Sequence, residues 1–346
     1  MLRLPQFTYY APKNVDEAVK ILSDYGPEAM VVAGGTDLYP NMKRRQFEPK
    51  VVVGLRQIRE LNQMSGNAET GLTIGACTIL SRLSRHPVVA SVYPGLARAA
   101  SFVANPQIQN MGTIGGNLCV DTRCNYYDQA LTWRTALGFC LKKDGGICPV
   151  APGGSRCWAV TSTDTAPVMI ALRASVRLVG PRRERMIPIS DFYRDDGIRY
   201  LAKEPDEILT EVMVPPAHGL RTTYWKLRRR GSFDFPVLGV AVALQTEGDI
   251  CRDARIITGG VNSRPMEMTD AENLLIGERL SEETIKRAAE AVYKPVKALD
   301  NTDFVPLYRK KMAPVFVKRA LRELVGWPIR GGSVEVDTDQ HGCTQI

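Results

Sequence analysis

Apolar residues at Val15, Ala18, Val19 and Leu22 follow the helical repeat, behind Asn14 as N-cap and with Glu17 three residues later. The pattern predicts a helix from Asn14, then a short buried strand over 29–32 that ends in the turn Ala33-Gly34-Gly35-Thr36-Asp37. A helix over 38–45 and a strand over 51–53 complete a small α/β unit. Further on, the apolar runs 72–76 and 176–180 read as strands, and 80–85 and 93–101 as helices. A second glycine turn follows, Thr113-Ile114-Gly115-Gly116-Asn117. The run Ser162-Thr163-Asp164-Thr165-Ala166-Pro167 starts another helix, with Val168, Ala171 and Leu172 on its apolar face. From residue 218 the pattern predicts strands at 237–244 and 254–260. Helices follow at 271–276, at 282–293 with Pro295 as its stop, and at 304–324. No internal repeat is present.

The periodicity fails over 125–158. That stretch holds Tyr126, Tyr127, Trp133, Phe139 and Trp158 among cysteines, and reads as an insertion folded around its own centre, because long loops without an anchor are uncommon in compact domains. The organisation expected is therefore a domain over 1–217, with subdomains of about 1–56 and 57–217 and a cysteine-bearing insertion of about 119–158. A second α+β domain follows over 218–327, and a polar, glycine-containing tail over 328–346 is expected to be disordered.

Composition narrows the class. The chain has 346 residues, 44% hydrophobic and 24% charged, as in a soluble globular protein. No apolar run approaches the roughly 20 residues that span a bilayer, and the opening Met1-Leu2-Arg3-Leu4-Pro5 lacks a signal-peptide core. The expectation is a cytoplasmic protein without a membrane anchor, in which clustered cysteines bind metal or do redox chemistry rather than form disulfides. The net charge is +8, with basic runs at Lys43-Arg44-Arg45, Arg182-Arg183, Arg228-Arg229-Arg230 and Lys310-Lys311. These runs are either a solvated surface or a docking face for an acidic partner, such as an acidic electron carrier. With 7% aromatics, none interleaved with the basic runs, nucleic acid is not the partner expected.

Two features carry chemistry. A strand, Gly-Gly-Thr and then a helix present backbone N–H groups with no Cβ in the way, so the first turn is either a nest for a pyrophosphate or a plain tight turn. It is neither a P-loop nor a G-x-G-x-x-G fingerprint. The second feature is the cysteines: five of eight lie between Cys119 and Cys157. Cys124, Cys140, Cys148 and Cys157 are separated by 15, 7 and 8 residues, with no C-x-x-C knuckle for a zinc finger or a thioredoxin-like motif. Four dispersed thiolates suit a [4Fe–4S] cluster, against the alternative of unrelated buried cysteines. Cys119 is the odd one out, lying just after the second turn where it is expected to pack against a nucleotide, and Cys77, Cys251 and Cys343 read as incidental. His86, His218 and His341 share no spacing.

The two glycine turns, the Ser162–Pro167 run, and Tyr224-Trp225-Lys226-Leu227 with Asp234 stand in the order of the motifs of a known family. Together they resemble the FAD-binding medium subunits of the molybdenum hydroxylases, the flavoproteins of xanthine dehydrogenase and carbon monoxide dehydrogenase, over roughly residues 5–325. The resemblance implies an α+β fold: a PCMH-type FAD-binding domain of two α/β subdomains, followed by an α+β domain like the C-terminal domain of the carbon monoxide dehydrogenase flavoprotein. Ordinary members pass from the second glycine loop to the Asp loop by a shorter route. The placement of the insertion, and the stretch Asn117 to Cys124, resemble the β subunits of the 4-hydroxybenzoyl-CoA reductase branch, which carry an extra [4Fe–4S] cluster there.

Site roles follow from that resemblance alone. Val32, Ala33, Gly34, Gly35, Thr36 and Asp37 would hold the FAD pyrophosphate, and Thr113, Gly115, Gly116 and Asn117 would contact the nucleotide from the other side. Asp164 would accept hydrogen bonds from the cofactor, Tyr224 would lie over the isoalloxazine ring, and Lys226 would bring positive charge near it. Cys124, Cys140, Cys148 and Cys157 would be the cluster ligands. No catalytic residue is expected on this chain. The implied partners are a large molybdenum-cofactor subunit, a small subunit with two [2Fe–2S] clusters, and reduced ferredoxin as donor, assembled as a dimer of heterotrimers. Electrons would enter at the [4Fe–4S] cluster and pass through FAD to the partners, where 4-hydroxybenzoyl-CoA is dehydroxylated to benzoyl-CoA. Another aryl-CoA or an N-heterocycle is the alternative substrate, and a zinc-bearing scaffold protein is the alternative of another class.

Overall fold

The computed structural model describes residues 3–329; the tail from Arg330, with Cys343 and His341, lies outside them. Three sheets follow one another along the chain. The first is parallel, with β1 (Thr8–Tyr10), β2 (Ala29–Val32) and β3 (Val51–Gly54) in the order β1-β3-β2. The helix Val15–Tyr25 makes the crossover. Asn14 caps it by accepting from the Glu17 N–H at 2.8 Å, and its apolar face (Val15, Ala18, Val19, Leu22) packs on β3. Leu38, Met42, Val32 and Val52 cover the other face of the sheet.

The second sheet is antiparallel, in the order β4-β5-β8-β6-β7, built from β4 (Met64–Asn67), β5 (Gly71–Gly75), β6 (Ser175–Val179), β7 (Glu184–Pro188) and β8 (Ile208–Val214). The third is an antiparallel sheet of β9 (Arg221–Leu227), β10 (Leu238–Glu247), β11 (Ile250–Gly259) and β12 (Met266–Glu267), in the order β12-β11-β10-β9. The helices Glu282–Ala291 and Pro306–Val325 cover one of its faces around Val240, Val242, Ile256 and Leu321. Its other face presents Tyr224, Ala241, Ala243 and Ile257 to the core of the second sheet.

The helix Thr165–Ala171 lies in that shared core, and all seven of its residues are buried. The expected apolar face at Val168, Ala171 and Leu172 is therefore only part of its contact surface, because sheets pack on it from two sides. The helix expected over 93–101 is present as Pro94–Ser101, with Pro94 in its first turn, and a further short helix, Pro87–Val92, precedes it. The second glycine turn is itself a short helix, Ile114–Leu118. Between it and Thr165–Ala171 the chain is mostly irregular, with one helix, Leu131–Ala136. The ends of this insertion meet: Arg123 and Val160 exchange two backbone hydrogen bonds of 2.8 Å. Among the described residues no helix is long and apolar enough to cross a membrane.

Candidate flavin and thiol sites

The first glycine turn joins β2 to the helix Leu38–Lys43. A Cβ on Gly34 would stand 2.1 Å from the Met111 carbonyl oxygen, so the turn presses directly on the segment that leads into the second one. Gly35 has φ +72°, a conformation that L side chains rarely adopt, and the Tyr39 ring fills the place of its Cβ. Among the described residues, the backbone N–H groups of Gly34, Gly35, Thr36 and Asp37 have no acceptor within the chain. Successive unpaired N–H groups at a glycine turn suit the oxygens of a pyrophosphate, so the turn fits FAD.

The second turn is built differently. Thr113 caps its helix, its hydroxyl accepting from the Gly116 N–H at 3.0 Å. Ile114 and Gly115 donate to the carbonyls of Thr78 and Ala76 at 2.9 and 2.8 Å, and Asn117 donates to the Thr113 carbonyl at 2.8 Å. A Cβ on Gly115 would lie 2.7 Å from that of Ala76. Asn117 faces the Asp loop: its Oδ1 accepts from Thr163 Oγ1 at 2.9 Å, Thr165 Oγ1 at 2.7 Å and the Thr165 N–H at 3.2 Å. The expected site residues of this turn thus tie two loops together, and the backbone N–H groups of Gly115, Gly116 and Asn117 are used within the protein.

Asp164, Tyr224 and Lys226 meet in the core. Asp164 accepts from the Tyr224 hydroxyl at 2.9 Å and from Lys226 Nζ at 3.0 Å, and Lys226 also donates to the Phe102 carbonyl at 2.8 Å. Burial lifts the Asp164 carboxyl above the usual range, against the pull of Lys226, and burial lowers Lys226. Tyr224 is 0% exposed. The expectation places it over the isoalloxazine ring; in the structure the ring lies in the core and the hydroxyl anchors Asp164. Asp164 likewise spends its oxygens on protein donors.

Cys124, Cys140 and Cys157 share a small core with Tyr127 and Ala159. Cys148 is buried as well and lies close enough to Cys157 to repel its charge. None forms a disulfide. Burial pushes the Cys124 thiol up to about 12 and Cys157 up to about 11, while N–H groups of Tyr126 and Ala159 pull them back. The Ala159 N–H points at Cys157 Sγ from 3.4 Å. Among the described residues no three His, Cys, Asp or Glu side chains are arranged to hold a metal ion. Three of the thiols share one small core and Cys148 lies near Cys157, without forming a single-ion centre; as buried sulfur donors they are of the ligand type of an iron–sulfur cluster. Lys142 runs beneath them, with Nζ 2.7 Å from Asp121 Oδ1 and 4.7 Å from the Tyr127 ring centre.

Three polar side chains clasp the insertion to the helix after the first turn. Arg123 pairs with Asp37, contacts Asn41 Oδ1 at 3.3 Å and Asp128 Oδ1 at 2.9 Å, and lies 4.6 Å from the Phe235 ring centre. Gln46 donates to the Tyr127 carbonyl at 2.7 Å. Arg134, 1% exposed, donates to the carbonyls at the C-terminal end of that helix, those of Arg44 and Arg45, at 3.0 and 2.9 Å. None of the three has a local sequence signal for the clasp, since their partners across it are 80 or more residues away. The trait they share is burial of a polar side chain, and burial is not visible in one sequence.

Comparison with known proteins agrees with this layout. A model described as the FAD binding domain in molybdopterin dehydrogenase matches residues 5–217, and one described as the CO dehydrogenase flavoprotein C-terminal domain matches 222–324. The chain is 30% identical to the carbon monoxide dehydrogenase medium chain of Hydrogenophaga pseudoflava, over 92% of this chain and 96% of that one. It is 28% identical to the nicotinate dehydrogenase FAD-subunit of Eubacterium barkeri, over 96% and 100%. The solved carbon monoxide dehydrogenase from Hydrogenophaga pseudoflava superposes with a TM-score of 0.77 at 28% identity, covering 94% of this chain and 99% of that one. With its α+β fold, its two matched domains and its open glycine turn, the chain belongs to the family of FAD-binding medium subunits of the molybdenum hydroxylases.

Proposed function

We propose that this flavoprotein subunit also carries a [4Fe–4S] cluster, and that its complex reduces an aryl-CoA thioester of the 4-hydroxybenzoyl-CoA type. The observation behind this reading is the set of four buried, unbridged thiols gathered in one insertion beside the flavin turns. When bound, FAD supplies a carrier for one or two electrons and the cluster a carrier for one.

The chain's own residues do the binding and positioning. Gly34, Gly35 and Thr36 offer N–H groups to the pyrophosphate. Thr113, Gly115, Gly116 and Asn117 set the second turn at the correct distance from the Asp loop. Asp164, held by Tyr224 and Lys226, fixes that loop from behind. Cys124, Cys140, Cys148 and Cys157 would hold the cluster, with N–H groups and Lys142 tuning its surroundings. The partners proposed are a large molybdenum subunit and a small two-[2Fe–2S] subunit, in a dimer of heterotrimers, with ferredoxin as donor. A related hydroxylase acting on another aryl-CoA or an N-heterocycle is left to substrate screening of the complex.

Anaerobic purification with iron, sulfide and flavin quantitation is the test. About four iron, four sulfide and one FAD per chain are expected. FAD without iron removes the cluster and keeps the flavoprotein; zinc without flavin removes both. The basic run at Lys43-Arg44-Arg45 sits where the insertion is clasped. Charge reversal at Lys43 and Arg45 is expected to slow electron entry from ferredoxin several-fold at low salt, with bound FAD unchanged. Equal rates across variants and ionic strengths would remove that docking face.

A further inference from the structure

The clasp at Arg123 joins the two cofactor regions through an unbroken set of polar contacts. Asp37 ends the first glycine turn and pairs with the Arg123 guanidinium. The same guanidinium reaches Asp128 Oδ1 at 2.9 Å, and Asp128 Oδ2 accepts from the Cys124 N–H at 3.0 Å. Asp128 also donates its own N–H to the Cys124 carbonyl at 2.9 Å. Arg123 has little freedom to move: its backbone is fixed to Val160 and its side chain is 10% exposed. A planar guanidinium that serves two carboxylates and an amide oxygen cannot shift toward one without leaving another.

We propose that Arg123 is a positioning residue that couples the thiol site to the flavin turn, so that filling the thiol site strengthens FAD binding. The coupling is mechanical. Sulfur ligation at Cys124 fixes the backbone that Asp128 holds. Asp128 orients Arg123, and Arg123 holds Asp37 and with it the open N–H groups of Gly34, Gly35 and Thr36. Coupling between two sites acts equally in both directions, so bound FAD in turn favours the ordered thiol site. The proposal rests on the cluster reading above, and the experiment separates the two.

The test is FAD titration of the full chain, stripped of cofactors, with and without anaerobic iron–sulfide reconstitution, alongside iron counts. In the wild type, reconstitution is expected to tighten FAD binding about tenfold, within the usual range for coupled sites. In Arg123→Gln that gain should vanish while the iron count stays at the wild-type value. Arg123→Lys, which keeps the charge but cannot fork between Asp37 and Asp128, should recover part of it. A structural fault alone would weaken FAD equally with and without iron. A gain that persists in Arg123→Gln, or no gain in an iron-loaded wild type, overturns the proposal. If the wild type takes up no iron, the cluster reading falls and the coupling is read from its ends. Cys124→Ser must then weaken FAD binding in the wild type and not in Arg123→Gln, and independent losses in the two backgrounds overturn it.

Discussion

Two Gly-Gly pairs stand at two short helices in this chain, one ahead of its helix and one inside it, and they use their glycines for opposite purposes. At Gly34-Gly35 the missing side chains let the backbone bend past Tyr39 and press on Met111, and the N–H groups of 34–37 find no acceptor within the protein. At Gly115-Gly116 the missing side chains permit close packing on Ala76, while the cap at Thr113 and the carbonyls of Ala76 and Thr78 take up the N–H groups. The first turn is open to a ligand and the second is closed on itself. The same dipeptide therefore marks a binding nest in one place and a structural joint in the other, and hydrogen-bond accounting separates them.

Gly34→Ala should separate the turns most sharply. Its Cβ would overlap a backbone carbonyl, so a loss of about 3 kcal/mol or more and the absence of bound FAD are expected in denaturant melts and flavin analysis. Gly116→Ala meets only Thr113 Oγ1 at 3.0 Å and should cost less than about 1 kcal/mol with FAD retained. Equal effects of the two would erase the contrast. Asn117→Leu strips the acceptor from two threonines and one N–H, and about 2 kcal/mol should be lost in urea unfolding. Thr113→Val removes the helix cap and should cost about 1 kcal/mol, visible as a lower Tm.

The smallest effect lies outside both turns and checks that folding and flavin binding are read apart. Burial lifts the Glu272 carboxyl from 4.5 to about 7. Between those values the folded chain keeps a proton that the unfolded chain has lost, so this group makes stability fall as pH rises through that window and stay level above it. Glu272→Gln keeps the acceptor for the Ile256 N–H and removes the charge. It should gain about 1 kcal/mol at pH 8 and nothing at pH 4.5, with FAD affinity the same as wild type at both. A gain at pH 4.5, or a change in FAD affinity, would show that the charge is not what acts.

Helices with a cap and one apolar stripe were legible, as in Asn14 with Val15, Ala18, Val19 and Leu22. So were strands made of long apolar runs, such as β10 and β11. β4, Met64–Asn67, was not, because three of its four residues are exposed and it has no buried face to mark it. β8 was also missed: Ile208–Val214 is interrupted by Thr210 and Glu211, the latter paired with Arg177 across the sheet. The Gly-Gly pairs drew attention to both turns, but nothing local tells which one leaves its N–H groups free. The cysteines were visible by density. Arg123, Arg134 and Gln46 were not, since their meaning lies in carbonyls and carboxylates brought to them from far along the chain.

The paired backbone bonds between Arg123 and Val160 close the insertion at its neck. A segment that leaves and re-enters a fold at neighbouring points behaves as a detachable module. Its length adds little to the entropy of closing the loop, and the frames on either side keep their places whether the segment is long or short. A cysteine-bearing module can in this way be added to an existing flavin subunit, or removed from it, by changing one stretch of chain.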